Sequence, residues 1–356
     1  MTTNAAPAGE EFQRQLQSLK SDIDTLRGQV ALASLRDQVS DLHNGTLGLG
    51  QRLKELRGRN YVFEKTLEAR AEDMGMRWGT IRGLVDSQLI SQSNMLQNDL
   101  RSIDAQLPQL MAVQNSVGMA QPLYAALRTS VDGLESRVSA AQTAVTNLFE
   151  DYEHEYRGLD QHLDHVTWAL DRRDEATFQL LPAEGMVMAV EALWAKDGKE
   201  DGSDPKGILY LTDQRIIFEQ KEEIVTKKVL FVATEKQKVQ KLQIECPVSL
   251  VDKVDASKQG MLKNEDHIEI RFASGAPVEV AHFHIWQDNA TWQQLINRAK
   301  SKDFDNGRAV AIDQAVVDKV KAAPAQCPNC GGNITQVVMR GMDSIKCEYC
   351  GFVIRL

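Results

Sequence analysis

The apolar positions of residues 127–170 follow the repeat of a coiled coil. The seam consists of Leu127, Val131, Leu134, Val138, Ala141, Val145, Leu148, Tyr152, Tyr156, Leu159, Leu163, Val166 and Leu170. Its steps alternate between four and three residues, apart from a slip of one residue before Tyr156, which predicts one amphipathic helix that continues through the slip. At about 1.5 Å per residue this helix would be roughly 65 Å long, too long to bury its stripe within one small domain. We therefore expect partner helices and self-association through them.

Two further helices are predicted before this seam. The first begins at Glu10 and is expected to stop near His43, because glycine recurs at three of the next seven positions and costs about 1 kcal/mol inside a helix. The second spans residues 51–105, and Pro108 would then break or kink it. Pro122 is expected in the first turn of the final helix. Residues 10–176 are thus predicted to form a helical coiled-coil region after a disordered segment at residues 1–9.

Three glycines in the second helix, Gly75, Gly79 and Gly83, lie four residues apart and so share one helix face. Charged residues between them, such as Asp73, Arg77 and Arg82, argue against a membrane span. The spacing instead favours close helix–helix contact in water.

The periodicity changes from helical to alternating at Leu180, which predicts a β domain over residues 179–305. Several strands follow one another as an antiparallel meander. An amphipathic helix at residues 289–300 would close the domain. Its apolar face consists of Trp292, Leu295, Ile296 and Ala299.

The run Gly207-Ile-Leu-Tyr-Leu-Thr-Asp-Gln-Arg-Ile-Ile-Phe-Glu219 resembles the Gly-x-Leu-x-Leu-Thr-x-x-Arg-hydrophobic-x-Phe pattern of GRAM-like and bacterial pleckstrin-homology (PH)-like domains. The resemblance covers about a third of the chain. It implies an antiparallel β domain capped by a C-terminal helix. Such domains dock on membrane surfaces or on proteins, so the resemblance implies binding and not catalysis.

The charges of this domain bear on its partner. The loop after the first strand mixes Asp197, Glu200, Asp201 and Asp204 with three lysines and is close to neutral. A second group, Lys227, Lys228, Lys236, Lys238 and Lys241, could add about 1 kcal/mol per lysine against an anionic surface. Nearby glutamates dilute that field, so a solvated loop is the favoured interpretation. A protein partner is preferred, and an anionic membrane surface stays open as the alternative.

Two other residue types in this domain invite chemical interpretations. His282 and His284 lie two apart on a predicted strand and so share a face, as a metal-binding pair would, although exposed sheet histidines are commoner. Cys246 precedes Pro247 in an apolar strand and is predicted to be a buried thiol.

The strongest local motif follows a helical linker at residues 306–325. Cys327 and Cys330 form one Cys-x-x-Cys pair, and Cys347 and Cys350 form a second pair. Each pair can chelate through a tight turn, so the four thiolates predict a closed tetrahedral site with no open position for substrate. Residues 326–356 resemble a zinc ribbon, which implies structural Zn²⁺. Iron in a rubredoxin-like site and a redox dithiol remain alternatives.

Composition limits the function classes. The chain has 356 residues, a net charge of −9 and five cysteines. The negative charge argues against a dedicated nucleic-acid binder, and the ribbon offers only Arg340, Lys346 and Arg355 against two acids. Cysteines in Cys-x-x-Cys pairs, no visible secretory signal and no long apolar run predict a cytoplasmic protein, with peripheral membrane association left open.

None of the common phosphate-binding, nucleotide-binding or hydrolase motifs occurs in the sequence. We therefore expect a non-enzymatic, self-associating scaffold or adaptor with a PH/GRAM-like docking module and a ribbon for protein contacts. One alternative is a peripheral membrane-remodelling or membrane-stress coat protein. The other is a nucleic-acid or transcription-associated zinc-ribbon protein.

Overall fold

The computed structural model describes residues 8–229, 232–260, 262 and 264–356, without the side chains of residues 8, 224–229 and 232–236. The predicted disorder of residues 1–9 therefore falls mostly outside the described residues, although Ala8 and Gly9 are helical. The chain divides into two compact units. One holds the described residues up to Gly50 together with Ala69–Asp160, and the other holds Gln51–Glu68 together with Gln161–Leu356.

Five helices form the N-terminal half of the chain: α1 (Ala8–Gln29), α2 (Ala33–Gly58), α3 (Leu67–Ala112), α4 (Val117–Thr146) and α5 (Glu150–Asp174). In the first unit, α1 and α4 run in the same direction, because Phe12 contacts Tyr124 and Asp22 pairs with Arg128 further along. α3 runs antiparallel to α1. Arg27 pairs with Asp104, whereas the Val30 carbonyl, later in the chain, accepts from Ser93, which comes earlier.

The predicted seam is covered by helices of the same chain. The α4 residues Leu127, Val131, Leu134, Val138, Ala141 and Val145 are all buried. Arg128 and Arg137 of α4 reach carboxylates of α1 and α3 on either side of this stripe. The requirement for partner helices is therefore met within the chain, and the seam alone no longer implies an oligomer.

The predicted continuous final helix is wrong at one point. A turn at residues 147–149 separates α4 from α5. It rotates the chain so that Phe149 is buried while Leu148 is 39% exposed. Local packing of the larger ring therefore sets the register here. The one-residue slip in the apolar pattern indicates a change in the helix, but it lies between Tyr152 and Tyr156, after the observed turn.

The glycines after His43 do not end a helix, because α2 continues to Gly58. The break lies earlier, at Leu32, which adopts a positive φ of 52°. Gly45 is instead a point of close approach, since a Cβ there would lie 2.1 Å from the Tyr156 hydroxyl oxygen. Likewise α3 runs through Pro108, and Pro122 lies in the second turn of α4. Among the described residues, no helix combines the length and apolar composition needed to cross a membrane.

A seven-stranded antiparallel sheet forms the centre of the second unit. Its strands are β1 (Met186–Trp194), β2 (Lys206–Thr212), β3 (Arg215–Val229), β4 (Val232–Pro247), β5 (Val251–Gln259), β6 (Glu265–Phe272) and β7 (Val280–Ile285), in the order β4-β3-β2-β1-β7-β6-β5. The predicted closing helix is α6 (Asn289–Lys300), capped by the Asp288 carboxylate. This meander closed by a C-terminal helix confirms the predicted PH-like fold.

The core of the sheet unit is aromatic. Phe218 of β3 and Phe283 of β7 pack with ring centroids 5.3 Å apart, and both are fully buried. Trp292 and Ile296 place the apolar face of α6 in the interior. The short elements α7 (Asp303–Asn306), α8 (Gln314–Ala322), β8 (Ser344–Lys346) and β9 (Val353–Arg355) follow.

Thr212 and Arg215, the Thr-x-x-Arg part of the motif, have a structural role. Thr212 Oγ1 accepts hydrogen bonds from the amides of Gln214 and Arg215, at 3.0 and 2.7 Å, which closes the β2–β3 turn. The Arg215 guanidinium then forms a bidentate pair with Glu184, and both side chains are buried. The motif therefore stabilises the turn at which the ribbon is attached.

Candidate metal centre and its anchor

The structure brings all four predicted ligands together. The Sγ atoms of Cys327, Cys330, Cys347 and Cys350 all lie within 4.8 Å of one another. Sγ–Sγ distances of 3.7 Å join Cys327 to Cys350 and Cys330 to Cys347. A tetrahedral ion with metal–sulfur bonds of about 2.3 Å requires sulfur–sulfur separations of roughly 3.8 Å. The donor set therefore fits a tetrahedral metal ion.

Each Cys-x-x-Cys pair folds into the same turn. The Gly331 amide donates to the Cys327 carbonyl at 2.8 Å, and the Gly351 amide donates to the Cys347 carbonyl at 2.9 Å. Both glycines have a φ of +72°, a left-handed conformation that side chains with a Cβ rarely adopt. The glycine after each second cysteine is thus required by the backbone.

The surroundings of Cys350 favour the thiolate. The backbone amide of Phe352, followed by the Asn329 side chain, lowers the pKa of Cys350 to about 6. The Asn329 amide lies 3.6 Å from Cys350 Sγ. Amide donors around ligating sulfurs are the usual support of a thiolate metal site.

The ribbon has little core apart from this centre. Its buried side chains are Cys327, Ile345, Cys347 and Ile354, against which four partly buried side chains pack. Two of the four buried residues are themselves ligands. A metal ion held by these cysteines would take the place of the hydrophobic core of a larger domain.

No protein-family model and no curated protein matches the chain. Among solved structures, the chain is similar to the DH/PH domains of p115-RhoGEF, with 12% sequence identity and a TM-score of 0.23 over 83% of this chain and 95% of that chain. A mutant form of the same domains matches at 10% identity and a TM-score of 0.22, over 82% and 98% of the two chains. The PH-like assignment above rests on strand order and the closing helix.

Arg340 joins the ribbon, residues 326–356, to the β2–β3 turn through ion pairs and hydrogen bonds. Its Nη2 donates to Asp213 Oδ2 at 2.7 Å, and its Nη1 donates to both carboxylate oxygens of Asp305, at 2.7 and 2.8 Å. The main chain of Arg340 also exchanges two hydrogen bonds with the Gln214 side chain. Gly341 completes the fit, because a Cβ there would lie 2.2 Å from the Pro182 carbonyl oxygen.

Asp213 is the centre of this anchor and is almost fully buried. Its Oδ2 also accepts from Arg308 Nη1 at 2.6 Å, and its Oδ1 accepts from the Gly185 amide at 2.9 Å. Burial raises the pKa of Asp213 to about 6, whereas the Gly185 amide and the two arginines favour its charged form. The carboxylate is thus ionised at neutral pH and needs both arginines to compensate its burial.

Sequence reasoning missed this anchor. Arg340 looked like a free ribbon cation, and nothing local marked Asp213 or Asp305 as its partners. A weak signal existed, because an arginine and a glycine in the turn of a very short domain indicate an anchored loop. The partners, however, lie from 35 to 127 residues away in sequence.

Other candidate residues have different outcomes. The predicted burial of Cys246 is confirmed, and burial raises the pKa of its thiol to about 12. Lys238 and Lys241 are exposed on β4, whereas the side chains of Lys227, Lys228 and Lys236 lie outside the described residues. His282 and His284 do share one face of β7, where they meet a third histidine.

Replacing Arg340 by alanine is expected to loosen the ribbon. Asp213 keeps Arg308 but loses one buried ionic partner, so we expect the free energy of ribbon opening to fall by about 2–3 kcal/mol. Hydrogen exchange of the β8 and β9 amides measures that opening. Arg355→Ala is the matched control, since it removes an exposed arginine of the same ribbon and should change the opening by about 0.5 kcal/mol or less. Equal effects of the two variants would contradict the anchor.

Proposed function

We propose that this protein is a non-enzymatic, self-associating adaptor. The helical unit joins copies of the chain, the PH-like sheet docks a protein partner, and the ribbon supports that docking surface. Linked weak sites then bind at a raised effective concentration. The observation that carries the proposal is a group of exposed apolar side chains on one face of α3, which they share with Thr80 and Ser87.

That face lies on the outer side of α3. Met76 is 70% exposed, Leu84 is 61% exposed, and Ile90 is exposed as well. Together with Gly79 and Gly83 they fall within about 140° of arc at 3.6 residues per turn. A Cβ at either glycine would meet no atom within 4 Å, so the close helix contact predicted from the glycine spacing is not made by the part of the chain that the structure describes. A second copy of α3 could make it.

The docking surface combines the sheet and the ribbon. Gln214 and Asp213 of the β2–β3 turn bind Arg340, so part-buried hydrogen bonds join the ribbon to the sheet. Zinc fits the four-thiolate site best, because zinc prefers tetrahedral sulfur coordination. Four protein ligands leave no position for substrate, which supports a structural role. Since the exposed charges of the loop between β1 and β2 include both lysine and acidic side chains, we favour a protein over an anionic membrane as partner.

The rival functions receive less support. A coat protein whose first helix lies in the lipid interface would need its apolar face free, but Phe12, Leu16, Leu19 and Ile23 are buried in the first unit. A nucleic-acid-binding ribbon would use its few cations, but Arg340 is committed to Asp213 and Asp305.

Sedimentation velocity on the full chain tests the proposal. The wild type is expected to show a concentration-dependent oligomer, and the Met76→Glu/Leu84→Glu variant a monomer with an unchanged helical circular dichroism spectrum. Burying each of these side chains contributes about 1.5–3 kcal/mol, so the pair should change the dissociation constant by at least about a hundredfold. A wild type that sediments as a monomer at every concentration would overturn self-association.

Met119→Glu provides the matched control. Met119 is 62% exposed on α4 and distant in sequence from the α3 face. It repeats one of the two changes, since it removes one exposed methionine and adds one negative charge. Oligomerisation should persist in this variant, and its loss there would assign the contact to another face.

A further inference from the structure

A second cluster of metal-ligand side chains lies on the sheet. His267 of β6 and His284 of β7 are directly paired in the strand register, and their rings stack with centroids 4.7 Å apart. Glu265 precedes His267 by two residues and so projects from the same face of β6. Glu200 reaches the same place from the loop between β1 and β2. The fold thus brings together two imidazoles and two carboxylates from β6, β7 and the β1–β2 loop.

The four side chains are close enough to share one ion. One ligand atom from each of Glu200, Glu265, His267 and His284 lies within 4.8 Å of all the others. Glu200 Oε1 is 2.7 Å from His284 Nδ1 and 3.7 Å from His267 Nε2. Glu265 Oε2 is also 3.7 Å from His267 Nε2. Ligands at about 2.0–2.2 Å from a tetrahedral ion stand roughly 3.4 Å apart, which small rotations of the two glutamates would reach.

An unsatisfied nitrogen points into this cluster. The His267 side chain is only 3% exposed, yet its Nε2 makes no hydrogen bond within the described part of the chain. Buried polar atoms without partners are uncommon, because the lost hydrogen bond costs free energy. A lone pair facing two carboxylates and a second imidazole is the arrangement that a cation would satisfy.

The other ring nitrogen of His267, Nδ1, has a hydrogen-bond partner, as in the histidines of metal sites. His267 Nδ1 lies 3.1 Å from His282 Nε2. When Nε2 of His267 is a ligand, its Nδ1 carries the proton and donates to His282. Ligating histidines almost always donate their other N–H to a neighbouring group, which fixes both the tautomer and the ring. His282 is thus a positioning residue, and His267 joins His284 as the second imidazole of the cluster.

We propose that Glu200, Glu265, His267 and His284 form a second metal site, for a divalent transition-metal ion of the zinc class. Imidazole ligands select zinc, cobalt or nickel over magnesium and calcium, which take oxygen ligands. Glu200 is exposed, so the ion enters from the side of the β1–β2 loop. This site is independent of the adaptor function and has no thiolate.

Cobalt titration of the purified full chain tests the site. Co²⁺ bound by thiolates gives intense sulfur-to-metal charge-transfer absorption, whereas Co²⁺ bound by nitrogen and oxygen gives only weak visible bands. We expect one equivalent to bind without charge-transfer absorption, whatever occupies the four cysteines. Saturation with no equivalent of this second kind would overturn the proposal.

Substitutions identify the residues that bind this second equivalent of Co²⁺. Glu200→Gln, in an exposed loop, and His284→Gln should each weaken the second equivalent by tenfold or more. Asp197→Asn is the matched control, because it removes one carboxylate from the same loop and should bind as the wild type does. A second equivalent that survives both Glu200→Gln and His284→Gln unchanged would refute the site.

His282→Ala separates positioning from ligation. Loss of an outer partner of a ligating histidine typically costs about 10- to 100-fold in affinity. In His282→Ala we expect the affinity for the second Co²⁺ ion to fall by this factor, while one such ion still binds at saturation and keeps its weak visible bands. Unchanged affinity would refute the role of His282.

Discussion

Removal of the metal from the four cysteines is expected to unfold the ribbon while the sheet persists. The ribbon has four buried side chains, and two of these are ligands. Structural zinc supplies about 10–16 kcal/mol to domains of this size, more than the rest of this core can replace. Hydrogen exchange should show β8 and β9 losing protection by at least about a thousandfold, equivalent to ~4 kcal/mol, on chelation. The β1–β7 amides should keep theirs.

Two cysteine variants sharpen this test. Cys347→Ser removes a buried ligand and should reproduce the effect of the chelator. Cys246→Ser also replaces a buried cysteine, but Cys246 lies on β4 and is not part of the metal centre. It should keep the metal and the protection of the ribbon. A ribbon that stays protected without metal would show that its anchor to the sheet suffices to fold it.

The metal centre was predictable because its information is local. Two Cys-x-x-Cys pairs, each followed by glycine, specify two chelating turns whatever the rest of the chain does. The anchor was not predictable. Asp213 and Arg340 are separated by 127 residues, and each has an ordinary alternative explanation as a turn residue or a surface cation. Only the folded chain shows that Asp213 is buried and that Arg340 pairs with it.

In the helical half of the chain, too, local patterns were predictable and long-range contacts were not. Periodicity predicted which face of α4 is buried, since the repeat follows from helix geometry. The ends of helices depend on competing contacts. Gly45 lies within α2, where it leaves room for the Tyr156 ring, and the break falls at Leu32, which is not a glycine.

The seam also shows what a heptad pattern omits. An apolar stripe requires a partner helix but does not specify whether that helix belongs to the same chain. Here α1 and α3 cover the seam of α4. Some apolar side chains of α3, such as Met76 and Leu84, remain exposed and carry no sustained repeat. Self-association is therefore a prediction about α3.

Replacing Arg215 by methionine is expected to be the most destabilising single change in the sheet unit. Arg215 Nε and Nη2 contact the two oxygens of Glu184 at 2.8 and 2.5 Å, and Nη2 also contacts the Gln179 carbonyl at 2.8 Å. Methionine keeps the length and removes the charge, which leaves the fully buried Glu184 without its ionic partner. Breaking one partner of such a pair costs about 3–5 kcal/mol. Urea denaturation followed by tryptophan fluorescence measures the loss.

Two comparisons distinguish a buried charge from lost contacts. Arg271→Met breaks an ion pair with Glu269 on β6, but Arg271 is 56% exposed, so the expected change is below about 1 kcal/mol. Adding Glu184→Leu to Arg215→Met removes the isolated carboxylate and should restore part of the stability, because apolar replacements of buried ion pairs are often neutral. If the double variant were less stable than Arg215→Met alone, the hydrogen bonds of Glu184 to Thr212 and Leu181 would outweigh its unpaired charge. We expect the opposite order, because an uncompensated charge in this interior costs more than the two hydrogen bonds that it accepts.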